Sequence, residues 1–568
     1  MRKLALFALI LFTISCAEDY VVINSMDGRD VLSGIFYANV KDYPVKFMSY
    51  PSGDPSRLAT KVGEGHDILL IESEETPISV FVQTELEKRD NTIELYQTTD
   101  GGETNLDLAV RSGAKKFIIV ESAFSDGALS SMPYARMTGA YVIFSDENNV
   151  RQVKQIVRDA DEVLLYGYLD SAVKTELADL NPRIIGKGED RYEDNVEIAG
   201  IMMEGYDIKG IIMTEGTFIE EGMVDSSMPF VFSGRVVPEV TYDFVKEKVK
   251  NDELDVVYLI GGTQITNAIR NMREQIKSEL SAQGVDESFG IWLRFAQVLP
   301  GGQGMVVLDS FPLPAYIPKL DITEVVYNAA TGNLMISIDN VGDGPVFYVT
   351  EIHILVDNEE YKVLGNNEPV LIERGDVVGL QYPLDLSGVE EGNVTAVVIV
   401  KYGSGKYTLE DYDDYFGGLV EIEYLDRSNI TAREARYDTS REILYLSMKN
   451  NKEDVAYVSP DVTLILDGES TKIKGPYNEP IDGNSIVVVE FPIDLSGEDL
   501  AANDEVTVHL KYGGRPGFLM KESTTVLPLQ KEGFDFLLLL LTLLIVALAI
   551  LAMYLYWKNK KGSKRGKG

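Results

Sequence analysis

Residues 182–200 read PRIIGKGEDRYEDNVEIAG. A short apolar run, Arg183-Ile184-Ile185, leads into two glycines and a cluster of charges. Gly186 and Gly188 allow a tight turn from strand to helix. Asp190 and Asp194 are suited to accept backbone N–H groups at the helix start. The stretch therefore predicts a strand, a turn and a capped helix. Its order, strand before helix, sets the fold class of the first half of the chain.

Reading outward, the same pattern recurs. Tyr20-Val21-Val22-Ile23 matches Lys116-Phe117-Ile118-Ile119, and Lys46-Phe47-Met48-Ser49 matches Val142-Ile143-Phe144-Ser145, both 96 positions apart. Asp30 and Asp126 stand at the same offset, each at an expected helix start. DILLIES at 67–73 matches EVLLYGY at 162–168, and TDGGETNLDLA at 99–109 matches EDRYEDNVEIA at 189–199. A third copy follows, with VVYLIGG at 256–262 lying 94 residues after EVLLYGY. A long fixed period implies one folding unit copied. Near-continuous apolar strands alternating with helices predict parallel sheets with both faces covered. The expected units are 18–111, 112–205 and 206–318, the last with a modified final strand and a rigid linker.

From about Leu320 the period changes to short strands, and helical stretches are not expected. Pro383-Leu384-Asp385-Leu386-Ser387-Gly388 returns as Pro492-Ile493-Asp494-Leu495-Ser496-Gly497, and Lys401-Tyr402-Gly403 as Lys511-Tyr512-Gly513. Two β-sandwiches in tandem are expected, at 319–425 and 426–530, similar to the Ig-like spacer domains of surface proteins. The fold class is thus an α/β N-terminal half of three parallel-sheet repeats followed by two all-β Ig-like sandwiches, with one transmembrane helix at the C-terminal end.

The ends carry their own signals. MRKLALFALILFTISCA has a basic start and a short apolar run, as a secretory leader over 1–17 would; cleavage after Ala17 fits better than lipidation at Cys16. Phe536 to Trp557 is 22 residues without a charge. As a helix it would reach roughly 33 Å, enough to cross a bilayer. The tail 558–568 holds six Lys or Arg and no acid, which places it on the cytoplasmic side. A single-pass protein with its bulk outside is the expected topology.

The chain has 52 basic and 90 acidic residues. Setting aside two basic residues in the leader and six in the tail leaves 44 against 90, a net of −46 outside. Such a field excludes nucleic acid as a partner and opposes anionic polymers. The only cysteine is Cys16, so no disulfide joins the exported domains.

The second copy carries a resemblance. SAFSDGALSSMPYARMTGAYVIFS, EVLLYGY and RIIGKGEDRYEDNVEIA together resemble the cell-wall-binding repeat type 2 family, over roughly half of the chain and most clearly at 112–205. The positions that match are Asp126, Leu129, Pro133, Ala135, Gly167, Arg183, Ile184, Gly186, Asp190, Arg191, Tyr192 and Glu193. Gly261-Gly262 matches in the third copy, and Asp194 stands where the family has Thr. The resemblance implies three modules packed as a pseudo-threefold unit that holds surface proteins to anionic wall polymers through basic residues between modules. On that basis Arg183, Asp190, Arg191 and Tyr192 are candidate glycan-binding residues. The alternative for the same residues is packing: Arg191 paired with an acid, Tyr192 between modules. The acidic exterior favours packing.

No H-E-x-x-H or G-x-S-x-G occurs, and His66, His353 and His509 are scattered, so no enzyme is expected. GKGED, LIGGTQ and Gly403-Ser404-Gly405-Lys406 do not have phosphate-loop spacing and read as turns. Glu410 to Tyr415 is the densest acidic cluster, a candidate Ca2+ site that reads first as a solvated loop; no other metal or cofactor is expected. Asn393 and Asn429 begin N-x-T sequons. The expected partners are an envelope polysaccharide or a surface-layer protein, with the membrane bound through the C-terminal helix. A self-associating surface lattice and an extracellular solute receptor are the alternatives.

Overall fold

The computed structural model describes residues 19–532 apart from 51–52, 99–100, 286, 296–308, 390–393, 440, 442, 467 and 494. The leader with Cys16, the candidate span 536–557, the tail and Asn393 lie outside the described residues. Among the described residues no helix is long and apolar enough to cross a membrane. The N-terminal half is α/β with parallel sheets, and the C-terminal half is all-β apart from one short helix.

Three four-stranded sheets make up the α/β half. The first contains β1 (Tyr20–Asn24), β2 (Val45–Phe47), β3 (Asp67–Ser73) and β4 (Thr92–Thr98). The second contains β5 (Lys116–Glu121), β6 (Tyr141–Ser145), β7 (Glu162–Tyr166) and β8 (Arg183–Ile185). The third contains β9 (Gly210–Thr214), β11 (Phe230–Phe232), β12 (Val256–Gly261) and β13 (Gly290–Phe295), after a short extra strand β10 (Phe218–Glu220). All three run parallel, with the second strand at one edge, then the first, third and fourth. The strands the sequence predicts, VVIN, DILLI, FIIV, EVLLY, GIIM and VVYLI, are the central strands of these sheets.

A buried asparagine joins each sheet to the next. Asn105, on the helix Gly101–Ser112, donates from Nδ2 to the carbonyl of Val142 (3.0 Å) and accepts from the N–H of Phe144 (2.9 Å) on β6. Asn195, on the helix Arg191–Tyr206, does the same with the carbonyl of Phe230 (2.9 Å) and the N–H of Phe232 (2.7 Å) on β11. Each side-chain amide thus behaves as one more strand residue on an open edge. Both asparagines are fully buried. They are the same position of the repeat, in TDGGETNLDLA and EDRYEDNVEIA.

The third junction is built differently. After β13 the chain returns as β14 (Ser310–Pro312), antiparallel to β10. The N–H of Tyr50, beyond β2, donates to the carbonyl of Ser310 (3.1 Å). Phe311 is buried and meets Phe47 edge-on at 6.4 Å between ring centres. Lys46 and Lys61 pair with Glu221, and Arg57 and Lys61 with Asp309 at 3.0 and 2.5 Å. The expectation of a linker after the third copy is therefore corrected. Residues 309–313 close the head on itself, because Phe311 and Leu313 have core positions to fill.

The first β-domain packs two four-stranded sheets. One contains β15 (Leu320–Asn328), β16 (Asn333–Asn340), β19 (Val377–Pro383) and β22 (Val420–Ile422); the other contains β17 (Val346–Val356), β18 (Glu359–Ile372), β20 (Val394–Gly403) and β21 (Asp411–Gly418). Their inward residues, among them Ile336, Tyr348, Ile352 and Val398, form one core. The acidic run at 410–415 belongs largely to β21 and is not a solvated loop. Tyr412, Asp414 and Phe416 sit opposite Lys401, Ile399 and Val397 in an antiparallel ladder. Asp411, Asp413 and Asp414 here share one strand with Tyr412, Tyr415 and Phe416.

The second β-domain forms a separate compact unit from Leu425. Its strands are β23 (Ile430–Asp438), β24 (Ile443–Asn450), β25 (Ala456–Leu466), β26 (Glu469–Lys474), β27 (Glu479–Ile481), β28 (Ile486–Pro492), β29 (Glu505–Gly513) and β30 (Lys521–Glu532). It repeats the pairing of the first. The N-terminal part of β30 runs antiparallel to β29 and its last four residues run parallel to β23, as β21 and β22 do with β20 and β15. Buried Asn340 and Asn450 are equivalent; each holds the carbonyls of the following turn and of a neighbouring strand end. One helix, Gly497–Ala502, departs from the all-strand expectation. Ser496 and Asp499 cap it reciprocally, an arrangement that Asp-Leu-Ser-Gly at 385–388 does not complete. Asn429 is exposed at the entry to β23.

Asn195→Ala would leave a buried N–H and a buried C=O of β11 unpaired. A loss of about 2–4 kcal/mol in urea unfolding is expected. A change within a few tenths would show that the amide does not secure the junction.

Candidate functional site

The fingerprint is built from the turn upward. Gly186 and Gly188 have φ of 83° and 76°, which glycine adopts without strain. Asp194, one turn into the helix, reaches back to accept the N–H of Lys187 (2.7 Å) and of Gly188 (3.0 Å). Asp190 is the helix cap; its Oδ1 accepts from Tyr192 (2.8 Å) and Glu193 (3.3 Å). The two acids therefore divide the work: Asp190 caps the helix and Asp194 fixes the loop before it.

Between them, Arg191 is turned inward. Its side chain is 16% exposed, and Nε lies 2.8 Å from Asp126 Oδ2. The guanidinium carbon is 5.1, 5.4 and 5.7 Å from the ring centres of Tyr192, Phe232 and Tyr316. At these distances the ring faces attract the cation. The contact with Asp126 is an ion pair without hydrogen-bond alignment, since neither carboxylate oxygen nor Nε has an aligned partner. Burial pushes the Asp126 carboxyl up, against the pull of the Arg191 charge.

The first β-domain covers this cluster. Asp190 Oδ2 accepts the N–H of Lys406 (2.7 Å). Gly405 lies so close to Tyr192 that a Cβ there would stand 2.8 Å from Cδ2 of the ring. The Ser404 hydroxyl hydrogen-bonds the Tyr192 phenol, and the Tyr316 hydroxyl donates to the carbonyl of Pro345. The Gly403-Ser404-Gly405-Lys406 turn is thus a docking loop, and its glycine is required by contact.

A small cavity remains, lined by Glu121, Asp126, Tyr168, Arg191, Asp194 and Tyr316 among others. It offers about 30 Å³ to the centres of water-sized molecules. That is room for roughly two waters and too little for a sugar ring. Glu121 is 2% exposed and leaves Oε2 without a hydrogen-bond partner. Burial, then the nearby Asp170, pushes its carboxyl up to about 7, against the N–H groups of Ala123 and Ser122. Burial likewise raises Asp194 to about 7, against the N–H groups of Gly188 and Lys187.

The structure brings Asp126, Asp190, Arg191 and Tyr192 together. Arg183 is exposed on β8, donates to the Tyr134 hydroxyl (3.2 Å) and does not line the cavity. Asp30 occupies the matching place in the first copy, where Gly101 replaces Arg191. A Cβ at Gly101 would fall 2.6 Å from Asp27, so no arginine fits. Asp30 instead takes the hydroxyls of Ser25 (2.6 Å) and Thr98 (3.1 Å). Phe232, Tyr316 and the 404–406 loop escape sequence reading because they come from three distant segments. The junction asparagines were legible as a shared repeat position. Among the described residues no group of three or more His, Cys, Asp or Glu is placed to hold a metal ion.

No protein-family model matches the chain, and no curated protein is similar to it. Among solved structures it is similar to Cwp8 from Clostridium difficile at 18% identity and a TM-score of 0.37, over 46% of this chain and 47% of that one. The chain therefore spans about half of that structure's length. It is also similar to the ligand-binding region of serine-glutamate repeat protein A of Enterococcus faecium (18% identity, TM-score 0.15, 19% of this chain and 99% of that one). A third likeness is to a 1.5-MDa bacterial ice-binding adhesin (18% identity, TM-score 0.15, 38% and 65%).

Two outcomes follow from the buried charges. Arg191→Ala strands Asp126 in the interior, and a loss of about 3–5 kcal/mol is expected in denaturant unfolding; a neutral result would show that the pair is not a structural one. Glu121 and Asp194 bind protons more tightly folded than unfolded. Their stabilising effect is whole below about pH 4 and is lost as pH rises through 7. The melting temperature of Glu121→Gln relative to the parent chain should therefore climb from pH 5 to about pH 7 and level off above it, and a pH-independent difference would remove the assignment.

Proposed function

We propose that this chain is a non-enzymatic, single-pass cell-surface protein. Its three-repeat head meets an envelope component, and in it the second-copy fingerprint serves as a fixed joint to the first Ig-like domain. The observation that carries this is the enclosure of Arg191. An arginine paired with Asp126, boxed by three aromatic rings and covered by the 404–406 loop cannot reach a polymer outside. The family resemblance at 112–205 supports a surface role, and the joint explains why the motif persists under a net charge that opposes anion capture. The leader and the apolar span at 536–557 support an exported, anchored topology, with N-terminal bulk outside and basic tail inside. Asn393 and Asn429 are then candidate glycosylation sites on the outer face. The second reading, a self-associating lattice, has the paired acidic and aromatic surface of β21 in its favour, with Tyr412 and Phe416 exposed.

Sedimentation of the full chain with isolated envelopes tests the proposal. Co-pelleting that survives raised salt and Arg183→Ala, but is lost when envelope glycans are stripped, is expected. Pelleting without envelopes would replace glycan engagement with the lattice.

A further inference from the structure

The third sheet differs from the second in what covers it. In the second, Leu164 on β7 is 1% exposed and Tyr166 next along that face is held by the Ser130 hydroxyl (2.9 Å), under the 13-residue helix Asp126–Thr138. Tyr258 on β12 is the residue 94 positions after Leu164, in the same register. There the long helix is replaced by three-residue β10 and the four-residue helix Glu221–Val224. Tyr258 is left 37% exposed. Its cross-strand partner on β13 is Trp292, 66% exposed. The two rings are stacked, with centres 6.4 Å apart and planes 25° from parallel.

We infer that Tyr258 and Trp292 form a platform for a neutral sugar chain, a proposal that rests on the surface-protein reading above. The two rings leave apolar surface in water side by side on neighbouring strands, as a stacking platform for a ligand does. β13 is the terminal strand of its sheet, and among the described residues no strand pairs its outer edge. A fitting ligand has a flat apolar face to lie on the rings and a polar rim to meet open backbone N–H and C=O groups. A pyranose has both. Nucleic-acid bases, the other flat stacking ligands, come with phosphates that the −46 exterior repels. Two rings are also far short of the roughly 800 Å² per partner that stable protein docking needs.

The chain has two tryptophans, Trp292 and Trp557. Trp557→Phe in the full chain makes Trp292 the sole reporter. The probes are chitohexaose, cellohexaose and mannohexaose, with heparin as the polyanion. A saturable change in Trp292 emission, with at least twofold protection from acrylamide, is expected with one or more neutral probes and not with heparin. Tyr258→Ala, which keeps the reporter, should weaken that probe tenfold or more, whereas Tyr258→Phe keeps it. Absence of a saturable change with all three neutral probes, or an unaltered affinity in Tyr258→Ala, overturns the platform. Envelope sedimentation is scored separately, so loss of the platform with envelopes still pelleting leaves the surface reading in place.

Discussion

A small parallel sheet has two open edges, and the head depends on how those edges are closed. Each of its three sheets has four strands of three to seven residues, so edge strands are half of every sheet. Unpaired edge N–H and C=O groups buried between modules would each cost a lost hydrogen bond. Asn105 and Asn195 remove that cost at two junctions with the same pair of bonds. Because a side-chain amide sets an N–H donor beside a carbonyl acceptor, it extends the ladder where a backbone cannot. The third junction lacks this device. Four ion-pair contacts, Phe311 and a returning strand replace it, so the three junctions are closed by two kinds of chemistry.

The second-copy fingerprint follows from the same closure. The helix that delivers Asn195 begins at Arg191, so the residue next to the cap points to where the second and third sheets meet. Inside that junction a lone guanidinium would be costly; Asp126 and three ring faces offset its desolvation. The first copy solves the same position without an arginine there, through Gly101 against Asp27 and the hydroxyls around Asp30. Two copies of similar sequence thus hold a buried acid in two ways, and the one with arginine is the one that receives a β-domain.

That β-domain arrives through a loop with no room for a side chain at position 405. Gly405 touches the Tyr192 ring, and the N–H of Lys406 takes the carboxylate oxygen of Asp190 not used by the helix cap. Asp190 therefore bridges a helix start and a docking loop with one side chain. The second β-domain has the same strand pairing, and it too turns its final strand from an antiparallel to a parallel partner, which ties the two sheets of each domain together.

The sequence by itself determined the periods. Runs such as FIIV and EVLLY state that both faces of a strand are covered, and the 96-residue offset states that the unit is copied. The helix cap at Asp190 and the turn glycines were equally legible, because local backbone needs select those residue types; at the first helix the sequence pointed to Asp30, and the structure puts the cap at Asp27. The tertiary structure alone decided which way Arg191 faces, since Asp126, Phe232, Tyr316 and Lys406 reach it from separate segments and none is implied by local pattern. It also decided that the acids of 411–414 lie on a strand and that residues 310–312 return to the head. Charge density reads as a loop in one dimension; only the partner strand at 395–402 shows that the same acids lie in a ladder. Local preference is written in neighbours along the chain, whereas burial of a charge or exposure of a ring depends on what other segments bring beside it.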